Sequence, residues 1–488
     1  MICIPITAGN VEDTISEMES ASRYADIVEL RIDYIPEIQN AETCVEEALK
    51  SKTKPVIITN RPVREGGKFN GSEQERLQLL QKAIELGADY VDVEHDSIRQ
   101  ITRQGSSKII ISHHNFEETP CNLSKIYSDI CQHKPDIVKI VTYANDITDN
   151  IRIFELLQSA KVPTISLCMG ELGYISRILT GKFGGFLTFA SLERGKESAP
   201  GQLTVNELHK VYHFKDINNE TKLYGIIGNP ISHSMSPAIH NAAFIEKGLN
   251  NAYVPLKIEN IGTFMKECRK IDFQGFSVTI PHKESVLPFL DDIDPTAGKI
   301  GAINTIVNRN GKLKGYNTDC MGAIMGLECS LKVVNGTLNN KKVSIIGAGG
   351  AARAIAFGLK EIGCDITIFN RTIERAEKLS LDVKCRFGSF EEIYKLETDI
   401  LINTTSIGMF PDVDQTPVTK DVLKEGMIVF DAVYNPIETR LLRDAKEKEC
   451  HTVNGLSMFI NQAAEQFRLW TDIDPPVELM TNVVKERL

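Results

Sequence analysis

A lysine inside an apolar segment is the first feature of this sequence that suggests covalent chemistry. Lys139 lies within DIVKIV, where an unpaired ammonium would be costly to desolvate. A lysine held among cationic groups has a lowered pKa and can attack a carbonyl as the free amine, which gives a Schiff base. Arg31, Arg61 and Arg177 could supply the positive field and also bind a carboxylate substrate. The alternative is a structural ion pair, which is about as frequent for a strand lysine.

A histidine at the end of another apolar run would complete this chemistry. His113 and His114 follow the run KIIIS. An imine acidifies the adjacent carbon, so His114 would take that proton and return it to a leaving hydroxyl, with Glu65 holding its tautomer. The expected reaction is a dehydration. Taken alone, such a histidine pair is more often only a polar strand end, and it is the combination with Lys139 that favours catalysis.

A second set of polar residues, in the other half of the chain, is suited to a reduction. Hydride transfer to a ketone needs a proton delivered to the developing alkoxide, and Lys283 paired with Asp319 could bind and polarise that oxygen. The hydroxyls of Ser234 and Ser236, together with Asn304, suit a polyol. Read singly, Lys283 is more often a solvated surface charge and Asp319 more often a helix cap.

A glycine-rich turn predicts a nucleotide site in the same half. In SIIGAGGAARA, Gly347, Gly349 and Gly350 lie between a predicted strand and a predicted helix. The next predicted strand ends at Asn370 and Arg371, where an NAD site would carry an acidic residue. An arginine suits a 2′-phosphate, so we predict NADP(H), with its pyrophosphate near the helix N-terminus. The alternative is a tight turn that binds no nucleotide.

The elements that would position the first set repeat in a regular rhythm. Eight short apolar runs, each followed by a polar turn and an amphipathic stretch, recur about every 25 to 30 residues. Eight βα units predict a closed (β/α)8 barrel, whose active site lies at the carboxyl ends of the strands. An open doubly wound sheet is the alternative. The predicted strands are Ile2 to Ile6, Ile27 to Ile32, Pro55 to Thr59, Tyr90 to Val93, Lys108 to Ser112, Ile137 to Val141, Pro163 to Leu167 and Phe186 to Phe189.

The fold class is predicted to be α/β throughout. The polar run KDINNET marks the boundary after a TIM barrel over residues 1–215. A second α/β domain is predicted over 222–322, completed by 456–488. A Rossmann domain is predicted over 323–455, and its first strand follows a loop from Asn335 to Lys342.

Composition excludes several classes of protein. The 65 acidic residues exceed the 55 basic ones, and the net charge of −10 argues against binding nucleic acid or an anionic membrane. The apolar runs are too short to span a bilayer and the N-terminal segment has no leader pattern, so we expect a cytoplasmic protein. The 11 cysteines include no CxxC pair, so neither a disulfide framework nor a metal site is predicted. The oligomeric state stays open, with a monomer as one option.

The motifs of the first half resemble those of the type I 3-dehydroquinate dehydratases. ELRID, RPVREGG, SHHNF, DIVKI, MGELGYISR and SAPGQ occur in matching order over residues 1 to about 215. The resemblance implies that Lys139 forms the imine and that His114 is the general acid/base, oriented by Glu65. It also implies a substrate pocket formed by Glu29, Arg31, Arg61, Arg177, Ser198 and Gln202. Asp92 and Glu94 are interpreted as structural carboxylates.

The motifs of the second half resemble those of the shikimate dehydrogenases over residues 222 to 488. GNPISHSMSP, FSVTIPHKE, GAINT, YNTDC and the glycine turn carry the likeness. It implies a shikimate site formed by Ser234, Ser236, Thr279, Lys283, Asn304, Asp319, Tyr434 and Gln462. It further implies NADP contacts at Gly347, Ala348, Gly349, Gly350, Ala351, Arg353, Asn370, Arg371 and Thr372, with Thr404, Ser406 and Met458 close to the cofactor.

Together the halves resemble a fused enzyme that dehydrates 3-dehydroquinate and then reduces 3-dehydroshikimate to shikimate with NADPH. One rival is a dehydratase fused to a dehydrogenase that prefers quinate and NAD, against which Ser234, Ser236 and Arg371 argue. Another is an inactive ligand-sensing homologue, which the intact candidate catalytic residues disfavour. A class I aldolase barrel also uses a lysine on its sixth strand, but the EGG and SAPGQ segments do not fit it.

Overall fold

The computed structural model of the chain describes residues 1–232, 234–333, 337–395 and 397–488. The predicted loop from Asn335 to Lys342 begins outside the described residues. Two compact units are formed, one by residues 1–223 with 250–272, the other by residues 224–249 with 273–488. Across these residues, every helix is too short or too polar to span a membrane.

Strands and helices alternate along most of the chain. The strands are β1 (Ile2–Ile6), β2 (Ile27–Arg31), β3 (Val56–Thr59), β4 (Tyr90–Glu94), β5 (Lys108–His114), β6 (Ile137–Tyr143), β7 (Thr164–Met169), β8 (Thr188–Ser191), β9 (Leu203–Thr204), β10 (Lys222–Gly228), β11 (Asn251–Lys257), β12 (Phe273–Val278), β13 (Asp292–Ile293), β14 (Thr305–Arg309), β15 (Lys312–Tyr316), β16 (Lys342–Ile346), β17 (Asp365–Phe369), β18 (Arg386–Gly388), β19 (Ile400–Asn403), β20 (Ile428–Asp431) and β21 (His451–Val453). The helices are α1 (Val11–Ser22), α2 (Ile38–Ser51), α3 (Glu73–Glu85), α4 (Leu123–Cys131), α5 (Asp149–Ser159), α6 (Tyr174–Ile178), α7 (Val205–Lys210), α8 (Ser236–Glu246), α9 (Ile261–Glu267), α10 (Pro295–Ile300), α11 (Thr318–Val333), α12 (Gly350–Ile362), α13 (Ile373–Val383), α14 (Arg440–Glu447), α15 (Gly455–Thr471) and α16 (Val477–Lys485).

The first unit contains the expected barrel of parallel strands. Its sheet runs β7-β6-β5-β4-β3-β2-β1-β8-β9, and β1 pairs in parallel with both β2 and β8. The Phe186 N–H, just before β8, donates to the Thr164 carbonyl of β7 at 2.8 Å and brings the two ends of the sheet together. The carboxyl ends of the strands therefore gather at one mouth, where a barrel enzyme carries its active site.

The structure differs from the predicted βα rhythm after β4, and the bounds of most strands differ from the predicted ones by one or two residues. The connection from β4 to β5 contains only a short 3₁₀ turn at Ile98–Gln100 instead of an α-helix. Its sequence HDSIRQITRQGSS has too few apolar residues to form a buried helical face. The eighth strand begins at Thr188 rather than at Phe186.

Alternation along the strands decides which side chains face the barrel interior. Ile137 and Val141 belong to the apolar cluster that also contains Cys3 and Ile165. Successive side chains of a strand point to opposite faces, so Lys139 shares the inward face with Ile137 and Val141. The apolar cluster therefore surrounds the lysine inside the barrel, and some of its members, such as Val141, also line the cavity.

The second unit contains two sheets. In the first sheet, β10, β12, β14, β15 and β13 are successive neighbours, with antiparallel pairing of β14 to both β12 and β15. The other sheet is parallel in the order β18-β17-β16-β19-β20-β21. Counted from β16, this order is 3-2-1-4-5-6, the dinucleotide-binding arrangement whose ligand lies at the carboxyl ends of the strands where the order reverses.

Candidate active sites

Lys139 lies in the barrel mouth among carboxylates. Its Nζ is 2.7 Å from Asp92 Oδ2 and 3.4 Å from Glu29 Oε1, and it lies over the Phe189 ring at 4.6 Å. The side chain is 7 % exposed, and it lines the cavity. The nearest charges are therefore anionic, whereas the sequence argument expected a cationic field around this amine.

Two of the three arginines expected to supply that field are paired. Arg31 makes two parallel bonds to Asp33, both of 2.8 Å. Arg61 reaches Asp92 at 2.7 Å and Glu94 at 2.6 Å. Their charges are locally compensated, so they add little net positive potential at Lys139.

Arg177 differs from the other two because no carboxylate within the described residues pairs with it. It is almost completely buried, its Nε lacks a hydrogen-bond partner, and its one hydrogen bond goes to the Pro200 carbonyl at 3.4 Å. Burial lowers the pKa of Arg177 to about 10, which still leaves it cationic at neutral pH. A buried guanidinium without a partner is suited to bind a substrate carboxylate.

His114 and Glu65 form a pair at the rim of the same cavity. His114 Nδ1 lies 2.8 Å from Glu65 Oε2, the contact that the sequence assigned to holding the tautomer. Burial, reinforced by the charges of Arg61 and Lys139, lowers the pKa of His114 well below its usual value. Burial raises the pKa of Glu65 to about 7. The imidazole is therefore neutral at physiological pH and has its Nε2 free to accept a proton.

These groups line one cavity, which holds every site residue predicted for the first half. Ser198 and Gln202 join them, with the Gln202 amide donating to Ser198 Oγ at 3.0 Å. Sequence reasoning missed the apolar wall of the cavity. The lining residues are Glu29, Arg31, Arg61, Glu65, Gly66, His114, Phe116, Lys139, Val141, Leu167, Met169, Arg177, Phe189, Ser198, Ala199 and Gln202.

Asp92 was interpreted from the sequence as a structural carboxylate. In the structure it contacts the ammonium of Lys139 directly, which the sequence analysis did not predict. The signal was present in YVDVE, because Asp92 and Glu94 are two residues apart on β4 and must share a face. Period-2 alternation places both carboxyls on the side of the barrel interior.

In the second unit, Lys283 and Asp319 form the expected pair. Lys283 Nζ lies 2.6 Å from Asp319 Oδ2, and both side chains are partly exposed to a cavity. Asp319 lies in the first turn of α11, while Lys283 follows β12 in the segment TIPHK. An ammonium held this way can donate a proton into the cavity while the carboxylate fixes its position.

Hydroxyl and amide groups surround that pair. Asn304 is held by Thr318, whose N–H donates to Asn304 Oδ1 at 2.7 Å, and the ring of Tyr434 stacks on Phe459 at 4.5 Å. All eight residues predicted for the polyol site line this one cavity, together with Ala351 and Met458 of the predicted cofactor set. Among the described residues, the lining is formed by Ile226, Pro230, Ile231, Ser234, Ser236, Ser277, Val278, Thr279, Lys283, Asn304, Asp319, Ala351, Ala432, Tyr434, Gly455, Met458, Phe459, Gln462 and Gln466.

Two polar residues of this cavity were missed from the sequence. Ser277 Oγ donates to Gln466 Oε1 at 2.8 Å, and the Gln466 amide donates to the Asn304 carbonyl at 3.2 Å. Gln466 lies one helical turn after Gln462 on α15, so helical spacing from a predicted site residue was the available signal.

The glycine turn after β16 fits a dinucleotide pyrophosphate. Gly347 has φ of +114°, and a Cβ there would lie 2.3 Å from Thr404 Oγ1, so only glycine is accommodated. Apart from Gly349 itself and its two neighbours along the chain, no heavy atom of the described residues lies within 4 Å of a Cβ built on Gly349. Open space thus faces the start of α12, whose first N–H groups lack partners within the helix. A Cβ on Gly350 would be 3.5 Å from Lys283 Cδ, which places this turn beside the pair of Lys283 with Asp319.

The residues after β17 occupy the position expected for recognition of the ribose. Asn370 donates to the Thr372 carbonyl at 2.8 Å and shapes the loop, and the Arg371 side chain is exposed. Thr404 donates to the Ile346 carbonyl at 2.7 Å beside the glycine turn. Ala348 belongs to that turn, and Ser406 is exposed on the loop after β19.

Arg353 differs from the other predicted cofactor residues because its guanidinium is occupied by the protein. It pairs with Asp382 at 2.7 Å and its Nε donates to the Ile300 carbonyl. Arg353 lies in the first turn of α12, where the sequence places it beside the pyrophosphate, but these contacts are structural. A role in binding the cofactor would require them to open.

Comparison with known families agrees with this division into two sites. A family model described as type I 3-dehydroquinase matches residues 2–219. Three further models match the remainder: the shikimate dehydrogenase substrate binding domain at residues 226–306, shikimate / quinate 5-dehydrogenase at 329–440 and the shikimate 5'-dehydrogenase C-terminal domain at 455–485.

Individual proteins show the same likeness. The chain is 43% identical over 509 residues to the bifunctional 3-dehydroquinate dehydratase/shikimate dehydrogenase, chloroplastic, of Arabidopsis thaliana, which covers 100% of this chain and 84% of that protein. It is 43% identical over 284 residues to the shikimate dehydrogenase (NADP(+)) of Methanocaldococcus jannaschii, covering 56% of this chain and 99% of that one. A crystal structure of a shikimate dehydrogenase in complex with NADP+ is similar with a TM-score of 0.53 and 42% identity, covering 55% of this chain and 96% of that one.

Proposed function

This chain belongs to the bifunctional 3-dehydroquinate dehydratase/shikimate dehydrogenase family, and from that premise we propose how its two cavities act. The first dehydrates 3-dehydroquinate through an imine on Lys139, and the second reduces 3-dehydroshikimate to shikimate with NADPH. The observation that carries the proposal is the convergence of Lys139, the pair of His114 with Glu65, and the unpaired Arg177 on one cavity. A nucleophile, a base and a carboxylate anchor are the groups that this dehydration needs.

In the first cavity the substrate carboxylate binds Arg177, which directs the ketone toward Lys139. Glu29, which is in contact with Nζ and lines the cavity, accepts the proton that the ammonium must lose. The amine attacks the ketone carbon, and the carbonyl oxygen leaves as water when the imine forms. Because Asp92 keeps Arg61 as a partner, it is not left as an unpaired buried carboxylate.

His114 then moves one proton. Its neutral imidazole removes a proton from the carbon next to the imine, and Glu65 stabilises the imidazolium through Nδ1. The imidazolium returns the proton to the hydroxyl two carbons from the imine, which leaves as water. Hydrolysis of the imine restores Lys139 and releases 3-dehydroshikimate.

In the second cavity the residues bind the cyclic substrate and deliver a proton. Ser234, Ser236 and Asn304 hold its hydroxyl groups. NADPH, held at the glycine turn with its 2′-phosphate at Arg371, supplies the hydride when bound. Lys283 gives its proton to the oxygen of the reduced ketone, and Asp319 keeps the ammonium in place.

Three domains underlie these roles in our proposal, namely residues 1–215, 222–322 completed by 456–488, and 323–455. Support for them comes from the separate barrel, mixed and parallel sheets.

A cytoplasmic location also stays a prediction, since the Arabidopsis relative is described as chloroplastic. Cell fractionation followed by an activity assay tests it.

The decisive experiment supplies 3-dehydroquinate and NADPH together to the purified chain and identifies the product. We expect one NADPH oxidised per substrate consumed and shikimate as the product. The Lys139→Ala variant should not carry out this coupled reaction, but it should still oxidise NADPH when it is given 3-dehydroshikimate. No NADPH oxidation by the unmodified chain would contradict the proposal, and faster turnover of quinate with NAD than of shikimate with NADP would favour the rival substrate.

A further inference from the structure

Alternating buried charges connect helix α3 to the nucleophile. Arg76, on α3, pairs with one oxygen of Glu94, and the other oxygen of Glu94 accepts from Arg61 at 2.6 Å. Arg61 lies 2.7 Å from Asp92 Oδ2, and the same oxygen lies 2.7 Å from Lys139 Nζ. Arg76 and Glu94 are absent from the cavity wall, so they can reach the amine only through the residues between.

Arg76, Glu94, Arg61 and Asp92 form one network of buried charges, and without the lysine these four charges sum to zero. Arg76 and Arg61 are cationic, while Glu94 and Asp92 are anionic. When Lys139 is a neutral amine, each of the two carboxylates of this network still has an arginine partner. If Arg61 left Asp92, the ammonium of Lys139 would be the remaining compensation for a fully buried carboxylate, and its proton would be harder to remove.

The position of Arg61 is fixed from both ends of this charge network. Ser112 accepts from Arg61 at 2.8 Å and donates to Asp92 Oδ1 at 2.6 Å. Arg76 is itself held by the Asn60 carbonyl at 3.0 Å and by Glu73. Because Arg76 occupies one Glu94 oxygen, Arg61 bonds only to the other.

We propose that Arg76 and Glu94 are positioning residues of the dehydratase, which keep Arg61 shared between Glu94 and Asp92 and so allow Lys139 to lose its proton. The inference deepens the proposed imine mechanism and rests on it. Neither residue touches the substrate, and both act through Arg61.

Several other charged groups face the amine and are common to every variant considered. Glu29 on β2 lies 3.4 Å from Nζ, and Cys3 on β1 interacts with the same charges. Arg31 and the pair of His114 with Glu65 line the rest of the cavity. Since these groups are unchanged, a difference in the pH dependence of trapping between variants reports on the charge network of Arg76, Glu94, Arg61 and Asp92.

The test measures how fast Lys139 is trapped at different pH values. The full chain is mixed with 3-dehydroquinate and cyanoborohydride from pH 5 to 9, and the adduct is quantified by mass spectrometry. The reductant supplies hydride to the imine carbon and water supplies the nitrogen proton, which gives a stable secondary amine. The pH at which trapping is half-maximal, here called the pH midpoint of trapping, is compared between variants.

Two substitutions should move that midpoint in opposite directions. Arg76→Met frees a Glu94 oxygen, which draws Arg61 toward Glu94 and leaves Lys139 as the main partner of Asp92. The pH midpoint of trapping should therefore rise by about one unit, and the trapping rate at pH 7 should fall about tenfold. Glu94→Gln removes the competing anion, ties Arg61 to Asp92 and should lower the midpoint. Arg76→Lys, which keeps the charge, should restore a midpoint close to that of the unmodified chain.

Other outcomes separate the inference from the mechanism beneath it. Equal midpoints, or shifts in the same direction, among folded variants would overturn the positioning role, because a purely structural residue changes the amount of active protein and not the midpoint. Thermal melting and the dehydrogenase rate of each preparation establish that it is folded. If Arg76→Met does not fold, the Glu94→Gln and Arg76→Lys midpoints decide. Absence of any Lys139 adduct in the unmodified chain would refute the imine itself.

Discussion

Lys283→Met should separate proton delivery from substrate binding in the second cavity. Methionine keeps much of the side-chain length but removes the ammonium that lies 2.6 Å from Asp319. General acid catalysis contributes about 10²- to 10⁴-fold, so we expect kcat for shikimate oxidation to fall about 10³-fold, which corresponds to ~4 kcal/mol of barrier. The KM for shikimate should change less than about tenfold, because the hydroxyl and amide groups of the cavity remain.

The assay follows NADPH formation from shikimate and NADP+ under saturating conditions. Asp319→Asn is the matched variant: it keeps the shape but loses the charge that holds the ammonium, and its kcat should fall by less than that of Lys283→Met. The dehydratase rate of the same preparations serves as an internal control and should be unchanged. A Lys283→Met chain with kcat within about threefold of the unmodified chain and a raised KM would refute proton delivery and make Lys283 a binding residue.

Three further predictions concern single residues. Arg177→Met should raise the KM of the dehydratase for 3-dehydroquinate about 10- to 100-fold, as expected for loss of a charge-assisted hydrogen bond, and a KM within twofold would reject the carboxylate anchor. Arg371→Ala should raise the KM for NADPH at least about tenfold more than that for NADH; equal effects would reject the 2′-phosphate contact. His240 lies 5.1 Å from Trp470, the single tryptophan, and burial lowers its pKa to about 3. This folded-state pKa lies below that of the unfolded chain, so the unfolded chain binds a proton at His240 more readily. The contribution of His240 to the free energy of unfolding is therefore fully present above about pH 6.5, and it falls by about 2–3 kcal/mol between pH 7 and 4.5. Urea unfolding followed by Trp470 emission should show a His240→Phe chain losing that much less over the same interval, and equal losses would contradict it.

Much of the barrel could be predicted because its strands are buried on both faces. Runs such as Ile2 to Ile6 contain little else than apolar residues, and the observed strand has the same bounds. The β4 to β5 connection could not be read from rhythm alone, because the spacing of the two strands is regular even though the segment between them lacks an apolar stripe. The parallel order of the third sheet followed from the glycine turn and its flanking strands.

The residues that line the two cavities were easier to predict than the pairs that they form. Motif resemblance and the positions of the strands pointed to Lys139, His114 and Lys283, which line these cavities. Pairing could not be read, because Arg31 and Arg61 were known only as cations near the mouth, whereas their carboxylate partners depend on strand register. The contact of Asp92 with Lys139 could not be read either, since it depends on the β4–β5–β6 alignment.

The central claim is that the amine of Lys139 bonds covalently to its ketone substrate. The most direct measurement is mass spectrometry of peptides from the full chain after incubation with 3-dehydroquinate and cyanoborohydride, with Lys139→Ala as the control. We predict that the reduced adduct lies on the peptide containing Lys139 and is absent from the control. An unmodified Lys139 peptide during active turnover, or an adduct that persists in Lys139→Ala, would contradict the mechanism.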